Sequence, residues 1–597
     1  MPTNTFQTFL RGGEFLIKDT TAENLFIPEE FTEEQVMVIN MVKEFIKTRV
    51  APNRERIEGL DIEFTKQLLK ETGELGITGI PFPEEYGGSD MDFITNLVLS
   101  ELMAETGSFS LSFGAHTGIG MLPLLYFGTK EQKEKYLPGL VSGEKYAAYC
   151  LTEPGSGSDA LNAKSTAVLS DDGQHYTLNG QKMWITNAGF ADIFTVFAKI
   201  DGQQFTGFLV ERTWEGVTLG AEEKKLGIKG SSTRQVFFEN VKVPVKNVLG
   251  AIGKGHKIAF NILNIGRIKL AAGAFGGSKA ICSIAIQYAN ERKQFGKTIA
   301  TFGAIQHKIA ESAIKIFVNE TASYRLAQCI KLKEESLVEE GLSLGDALLG
   351  AAEAYAIECA LMKVHSSECL DFVVDEGVQI YGGMGYSEEA PMAALYRDAR
   401  INRIFEGTNE INRMLAVDRL LKNVMKGQLD LMTPAMEVQK ELMDKPKKVA
   451  LDHSIPFARE KHMIAGLKKA FLLVAGATVQ KLMQALSKEQ EILMNLSDMM
   501  AEIYLAESAM LRAEKITNLK DEASAGPYVD MMQVYLDDAM DRFHHSAKRA
   551  ITGWADGEHK KVLLYGLRKL IDYEGVNTKD ARRRIAAKLI ENNAYCF

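Results

Sequence analysis

The segment Ile404-Phe-Glu-Gly-Thr-Asn-Glu-Ile411 sets a carboxylate, Glu406, between Phe405 and Gly407, just ahead of Thr408, where a new helix is predicted to start. The N-terminal amides of that helix then face whatever Glu406 faces. Such a glutamate is either a solvated loop residue or a desolvated base whose pKa is raised by burial. Four further segments could carry chemistry. Cys150-Leu-Thr-Glu-Pro-Gly-Ser-Gly-Ser-Asp159 is rich in small residues whose backbone amides can approach an anion. A hairpin rather than a helix follows it, so it is a plain Gly/Ser loop or an anion contact, not a dinucleotide fingerprint. Trp184-Ile-Thr186 puts a large ring and a hydroxyl two residues apart, on one face of a strand, where they can cover a planar cofactor and bond its edge, or form a core Trp beside a surface Thr. Arg292-Lys-Gln-Phe-Gly296 interrupts two long helices with an arginine and an aromatic, suited to a phosphate and a stacked base or simply solvated. Gln379-Ile-Tyr-Gly-Gly-Met-Gly-Tyr386 has three glycines within four residues, the mark of close backbone approach or of a tight interhelical turn.

These segments need elements to position them. Thr32-Glu-Glu-Gln35 reads as a capping box, and Val36, Ile39, Lys43, Ile46 and Val50 follow at helical spacing. Helical patterning continues through Phe64–Thr72, ended by Gly73, and through Ile94–Glu105, up to about residue 148. From about 150 to 247 the texture is β-rich, with turn signals at Asp172-Gly173, Asn179-Gly180 and Asp201-Gly202. From Gly253 to about 425 it is helical again, Ile305, Ile309, Ala313 and Phe317 sharing one face of a bundle helix. The expected fold is mainly α with a central antiparallel β-domain: an extension (1–30), an N-terminal helical domain (31–148), the β-domain (149–250), a helical bundle (251–428) and a C-terminal helical domain (429–597).

Composition bounds the function. Hydrophobic residues make up 46% and charged residues 25% of 597, ordinary globular usage that excludes extensive disorder and fibrous rods. A net charge of −9 argues against a surface built to coat nucleic acid. Six scattered cysteines without a C-x-x-C pair indicate neither a disulfide scaffold nor a metal cluster. The start, MPTNTFQTFLRGGEFLIKD, lacks the apolar core of a signal peptide, and the longest largely apolar run, Ala470 to Val479, is far short of the ~18 residues that span a bilayer.

Taken in order, the motifs C-x-T-E-P-x-x-G-S-D, W-I-T, R-x-Q-F-G, Q-x-x-G-G-x-G-Y, R-D-A-R (Arg397–Arg400) and F-E-G-T-N-E-I resemble the acyl-CoA dehydrogenase family over roughly residues 30–430. The extra C-terminal region resembles the very-long-chain branch, whose members are homodimers. The resemblance implies FAD as cofactor, with Tyr149, Cys150, Leu151, Thr152 and Ser158 along the flavin, Trp184 and Ile185 beside its ring and Thr186 at its edge. Arg292, Gln294, Phe295, Gln379 and Gly383 match residues that reach the partner subunit's FAD, and Thr408 and Glu410 match flavin or adenosine contacts. Ser158, Asn264, Arg267 and Gly407 match the substrate-binding set.

Glu406 aligns with the family's base, which removes the α-proton of an acyl thioester while a hydride leaves the β-carbon for the flavin. Some branches carry the base next to the position of Arg267; here that neighbour is Gly266, which cannot act. The implied function is dehydrogenation of long-chain acyl-CoA in fatty-acid β-oxidation, with electron-transfer flavoprotein as acceptor; an acyl-CoA oxidase and a non-catalytic assembly protein that keeps the fold are the alternatives. Gly114-Ala115 falls where the family lines the deep acyl channel. A bacterial cytoplasm is expected, though a processed mitochondrial protein would look the same. Residues 445–469 carry Lys445, Lys447, Lys448, Arg459, Lys461, Lys468 and Lys469 against Asp452 and Glu460, followed by Phe471-Leu-Leu-Val474. This points either to peripheral contact with an anionic membrane or to a solvated face on a packed helix.

Overall fold

The computed structural model describes residues 9–443, 451–452 and 454–597. The first long helix, Glu33–Phe45, begins at the capping box: Gln35 N–H donates to Thr32 Oγ1 at 3.2 Å, and Thr32 N–H donates to Gln35 Oε1 at 3.0 Å. Two of the four orphan amides of the helix start are thereby satisfied. The buried face takes in Ile46 and Val50 of the predicted row but not Val36. Val36 is exposed, whereas Val42, Phe45 and Ile46 are buried and the buried Gln35 amide donates to Thr95 Oγ1 at 3.2 Å. The helix Ile62–Glu74 continues past Gly73.

The middle of the chain forms one eight-stranded sheet from β1 (Ala147–Cys150), β2 (Thr166–Leu169), β3 (His175–Thr186), β4 (Ile193–Ile200), β5 (Gln204–Glu211), β6 (Val217–Glu222), β7 (Thr233–Pro244) and β8 (Val248–Leu249). The order is β6-β7-β3-β2-β4-β5-β8, with β1 also on β4. Most pairs are antiparallel, but β1 and β2 both run parallel to β4. Asp172-Gly173 and Asp201-Gly202 make the predicted turns, the latter with φ of 51° and 70°, the mirror-image turn that suits the strand twist. Asn179-Gly180 does not turn. It lies inside β3 at a shift in register, and Gly180 is there because a Cβ would stand 2.2 Å from Ser165 Oγ. The sheet has its own core, including Phe194, Val196, Phe208, Val210 and Val236.

A second, continuous core joins the remaining helices. The bundle helices Gly255–Glu291, Gly303–Glu339, Ala356–Tyr381 and Asn409–Met425 share it with the C-terminal helices Ala458–Leu482, Gln490–Leu519 and Glu522–Thr552. Buried ion pairs cross the boundary: Arg325 with Glu507 at 2.7 Å, and Arg512 with Glu320 at 2.8 Å and with Glu29 at 2.9 Å. Breaking one such pair strands a buried charge, at a cost of roughly 3–5 kcal/mol. The C-terminal helices are therefore part of the main body. The start of the chain is bound in too, with Phe15 and Leu16 buried and Phe15 edge-on to Tyr504 at 5.0 Å.

Two helices, Gly255–Glu291 and Ala458–Lys488, contain 18-residue windows of mean hydropathy 1.2 and 1.3, and 61% of each window is buried inside the protein, as in core helices. Lys445, Lys447 and Lys448 lie outside the described residues. The rest of the basic stretch is engaged: Lys461 with Glu514 (2.6 Å), Lys468 with Asp19 and Glu507 (2.8 and 2.5 Å), Lys469 with Glu441 (2.7 Å), and Arg459 donates to Glu574 O (2.7 Å). Phe471, Leu472, Leu473 and Val474 are all buried. The described part of this segment is thus a packed helix with paired charges, and its apolar side is not available to a membrane.

Candidate active site

Glu406 occupies the short link between the turn Arg400–Arg403 and the helix Asn409–Met425, at φ 57°. That left-handed conformation costs a non-glycine residue energy, and such positions cluster at functional sites. The surrounding contacts hold it there. Asn412 Nδ2 donates to the carbonyls of Glu406 (3.3 Å), Gly407 (2.8 Å) and Thr408 (3.1 Å), and Arg267 Nε reaches the Glu406 carbonyl at 3.4 Å. Arg267 is itself buried and donates to Asn264 Oδ1 at 2.8 Å. Glu406 Oε2 is buried with no hydrogen-bond partner among the described residues. Burial pushes its pKa up to about 7, against the opposing pull of Arg267 and Lys363. The carboxylate lies over Gly266, where a Cβ would come within 3.0 Å of Oε2. Gly266 thus carries no carboxylate of its own, and its bareness makes room for that of Glu406.

The carboxylate stands at a cavity of about 580 Å³ walled by both helical domains and the sheet. Gly266, Gly273, Gly277 and Ile284 of one helix all line it; at 1.5 Å per residue, the 18 residues from Gly266 to Ile284 give a groove ~27 Å long. Gly114, Ala115 and Gly118 line it opposite, and a Cβ on Gly114 or Gly118 would meet nothing within 4 Å. Lys269 also faces this cavity, and burial pushes its pKa down to about 8.

Thr186 lines the same cavity. Trp184 does not, and the strand alternation that would put both on one face is broken: β3 shifts register between Lys182 and Ile185, and Trp184 sits at φ 60°, 53% exposed. Tyr149, on β1, is buried with its hydroxyl unpartnered among the described residues, and burial, then the nearby Glu406, raises its pKa well above the usual value. Cys150 and Ile185 are core residues, Leu151 and Thr152 are half-buried, and Ser158 is exposed. Thr408 accepts from Ile411 N–H at 3.3 Å as the cap of its helix, and Glu410 is exposed. Thus Glu406, Gly407, Asn264, Arg267, Tyr149 and Thr186 come together.

Arg292, Gln294, Phe295, Gln379 and Gly383 do not join them. All five are exposed at the other end of the bundle, Phe295 to 93%, where Tyr288 stacks on Tyr381 at 3.9 Å. From Gly266 to Arg292 is 26 residues along one helix, or ~39 Å.

Two contributors, Lys363 and Asn412, are not visible as motifs, and a third, the glutamate of C-x-T-E-P, reads only as part of a Gly/Ser loop. Glu153 anchors the Gly/Ser loop: it is buried, pairs with the buried Lys182 at 2.6 Å and accepts from Ser165 N–H and Oγ–H at 3.1 and 2.6 Å. Lys363 Nζ donates to Gly407 O and Asn409 Oδ1, both at 2.8 Å, and burial brings its pKa down to about 7. Asn412 fixes the Glu406 link. The spacing Glu406–Asn412 was a signal of a kind, since an amide six residues on can close back over its own helix start.

Comparison with known proteins agrees with this geometry. Family models described as acyl-CoA dehydrogenase N-terminal, middle and C-terminal domains match residues 32–144, 148–241 and 253–421, and a second acyl-CoA dehydrogenase C-terminal domain model matches 466–569. A probable acyl-CoA dehydrogenase of Bacillus subtilis is 45% identical over 589 residues, 98% of each chain. The very long-chain specific acyl-CoA dehydrogenase of Rattus norvegicus is 45% identical over 363 residues, 59% of this chain and 52% of that protein. A crystal structure of an acyl-CoA dehydrogenase complexed with FAD from Bacillus anthracis superposes with a TM-score of 0.96 at 45% identity, covering 99% of this chain and 100% of that one.

The chain belongs to the acyl-CoA dehydrogenase family. It is an FAD-dependent acyl-CoA dehydrogenase of the very-long-chain-like type, with the additional helical C-terminal domain. The residues present fit the cofactor: a bare Tyr149 hydroxyl, an indole held out at a left-handed φ, and a loop in which a Cβ on Gly155 or Gly157 would meet nothing within 4 Å.

Proposed function

We propose that this enzyme oxidises the α,β bond of long-chain acyl-CoA to the trans-2-enoyl thioester, with Glu406 taking the α-proton. The observation that carries the reading is a carboxylate oxygen without a partner, of pKa about 7, at a groove ~27 Å long. Bound FAD supplies the acceptor for the β-hydride. Tyr149 to Thr152, Ser158, Trp184, Ile185 and Thr186 would hold it, Trp184 covering the ring face away from substrate.

The α-proton of a thioester is weakly acidic, so the base succeeds only if charge developing on the thioester oxygen is stabilised. The Glu406 N–H, which donates to no backbone carbonyl among the described residues, is the donor this chain offers. Arg267 and Asn412 hold the link by its carbonyls so that N–H and carboxylate keep one orientation. Asn264 and Arg267 are assigned to the CoA part of the substrate, and Ser158 and Gly407 complete the substrate-binding set.

The groove supports long substrates. A bilayer's ~30 Å hydrocarbon core is two lipid tails deep, so one long tail needs ~15 Å, well within it. The ~39 Å between Gly266 and Arg292 supports a shared site: the exposed Arg292, Gln294, Phe295, Gln379 and Gly383 are too far from their own Glu406 and serve the partner's FAD in a homodimer. The enzyme works in the cytoplasm and hands its electrons to an electron-transfer flavoprotein. The test is turnover of purified holoenzyme on saturated acyl-CoAs of four to twenty carbons, with electron-transfer flavoprotein or oxygen as acceptor. A maximum at twelve carbons or more, little oxygen consumption and loss of turnover in Glu406→Gln are expected; a maximum at four carbons, or a fully active Glu406→Gln, overturns the reading.

A further inference from the structure

A line of polar contacts leads from the C-terminal helices to the link that carries Glu406. Asp498, on Gln490–Leu519, accepts from Arg413 Nε at 2.7 Å. Arg413, on Asn409–Met425, grips both oxygens of Glu368 at 2.7 and 2.9 Å. Glu368, on Ala356–Tyr381, accepts from Asn409 Nδ2 at 3.1 Å. Asn409 Oδ1 accepts from Lys363 Nζ at 2.8 Å, and the same ammonium donates to Gly407 O at 2.8 Å, one residue from the base. The inner members Lys363 and Asn409 are buried. In such surroundings a missing partner leaves a costly unpaired group, so the members hold each other in place.

We propose that Lys363 is a positioning residue for Glu406, and that Asp498 of the C-terminal domain holds it in register through Arg413, Glu368 and Asn409. This rests on Glu406 being the base. Two consequences follow for the reaction. The left-handed link at Glu406 and Gly407 is fixed by Lys363 on one side and by Asn412 and Arg267 on the other, so loosening Lys363 lets the carboxylate wander from its place over Gly266. Lys363 also acts by charge. The titratable groups that bear on Glu406 are Lys363, Arg267 and Tyr149; those that bear on Lys363 are Glu406, Arg267, Glu368 and Glu410. Below about pH 7, where Lys363 carries its proton, replacing it by a neutral amide removes one of two cations that favour the carboxylate form, so the acid limb of the kcat/KM profile moves to higher pH.

The experiment is a double-mutant cycle on the FAD-loaded enzyme with Lys363→Gln and Asp498→Ala, which removes the acceptor of Arg413 Nε, reading kcat, KM, FAD content and the acid limb. Each single variant is expected to lower kcat roughly tenfold with KM within about twofold and FAD retained, a misplacement effect. The double variant falls no further, because both changes cut one line. Lys363→Gln shifts the acid limb upward and Lys363→Arg restores much of kcat. Losses that multiply to about a hundredfold overturn the proposal, as does an unmoved acid limb in Lys363→Gln. Asp498 is only partly buried, so Ala is tolerated in its place, and a wild-type kcat in Asp498→Ala alone refutes the line even if Lys363→Gln fails to fold. A Glu406→Gln control that keeps its turnover would instead reject Glu406 as base.

Discussion

Gly266→Ala separates stability from catalysis at the position where the two meet. Gly266 lies inside the helix Gly255–Glu291 with ordinary helical geometry, and the added Cβ would stand 3.0, 3.2 and 3.3 Å from Oε2, Cδ and Oε1 of Glu406. No backbone atom is in the way, only the far end of a side chain that can yield by a few tenths of an ångström. Alanine in a helix interior is favoured over glycine by ~0.8–1 kcal/mol. The variant should therefore melt no lower than the wild type and slightly higher if the full gain is realised. Catalysis should move the other way. A 1 Å misplacement of a reacting group costs ~10²-fold, so a few tenths should cost roughly three- to tenfold in kcat. Thermal melting of the FAD-loaded protein and steady-state kinetics on one long-chain acyl-CoA read the two effects. An unchanged kcat would mean that the carboxylate does not lie against Gly266 during turnover. A lower melting point with loss of FAD would mean that the helix, and not the side chain, gives way.

If Glu406 is the base proposed above, it must be ionised to accept a proton, and since burial raises its pKa in the free enzyme to about 7, kcat/KM of the wild type should fall as pH drops through about 7; Glu406→Gln should lose at least ~10²-fold with FAD still bound. Gly114→Leu puts a side chain into open groove, so the preferred acyl chain should shorten, each displaced methylene forfeiting up to ~0.8 kcal/mol; an unaltered chain-length profile would place the tail elsewhere. Arg292→Ala should weaken FAD retention and the dimer together, since a cofactor bound only by the assembled form stabilises it; a monomer with stoichiometric FAD would contradict the shared site.

What the sequence disclosed was local. The capping box at Thr32 and the turns at Asp172-Gly173 and Asp201-Gly202 depend on neighbours within a few residues, and they stand where predicted. Glu406, Gly407 and Thr408 are legible for the same reason: buried carboxylate, left-handed glycine and helix cap are consecutive. Asn179-Gly180 misled because the dipeptide also suits a strand interior where another chain segment passes close, and only the position of Ser165 decides. The three-residue pattern at Trp184 misled through a change of register that no side-chain alternation reveals.

The basic stretch before Phe471 shows why charges are the least legible feature. Lys461, Lys468 and Lys469 read as one positive face, yet their carboxylate partners lie at Glu514, Asp19, Glu507 and Glu441, mostly far away in the chain. Lys363 is the same case at the active site. A lysine in mid-helix looks like a solvated residue, but its bonds to Gly407 and Asn409 span more than forty positions, and those of Arg413 to Asp498 span 85. Polar residues that serve a site from a distance carry no spacing rule, because the fold and not the chain sets their neighbours. The C-terminal helices, which as sequence look appended to a complete enzyme, share the bundle's core, and Asp498 is one end of a line of polar contacts whose other end is the Gly407 carbonyl next to Glu406.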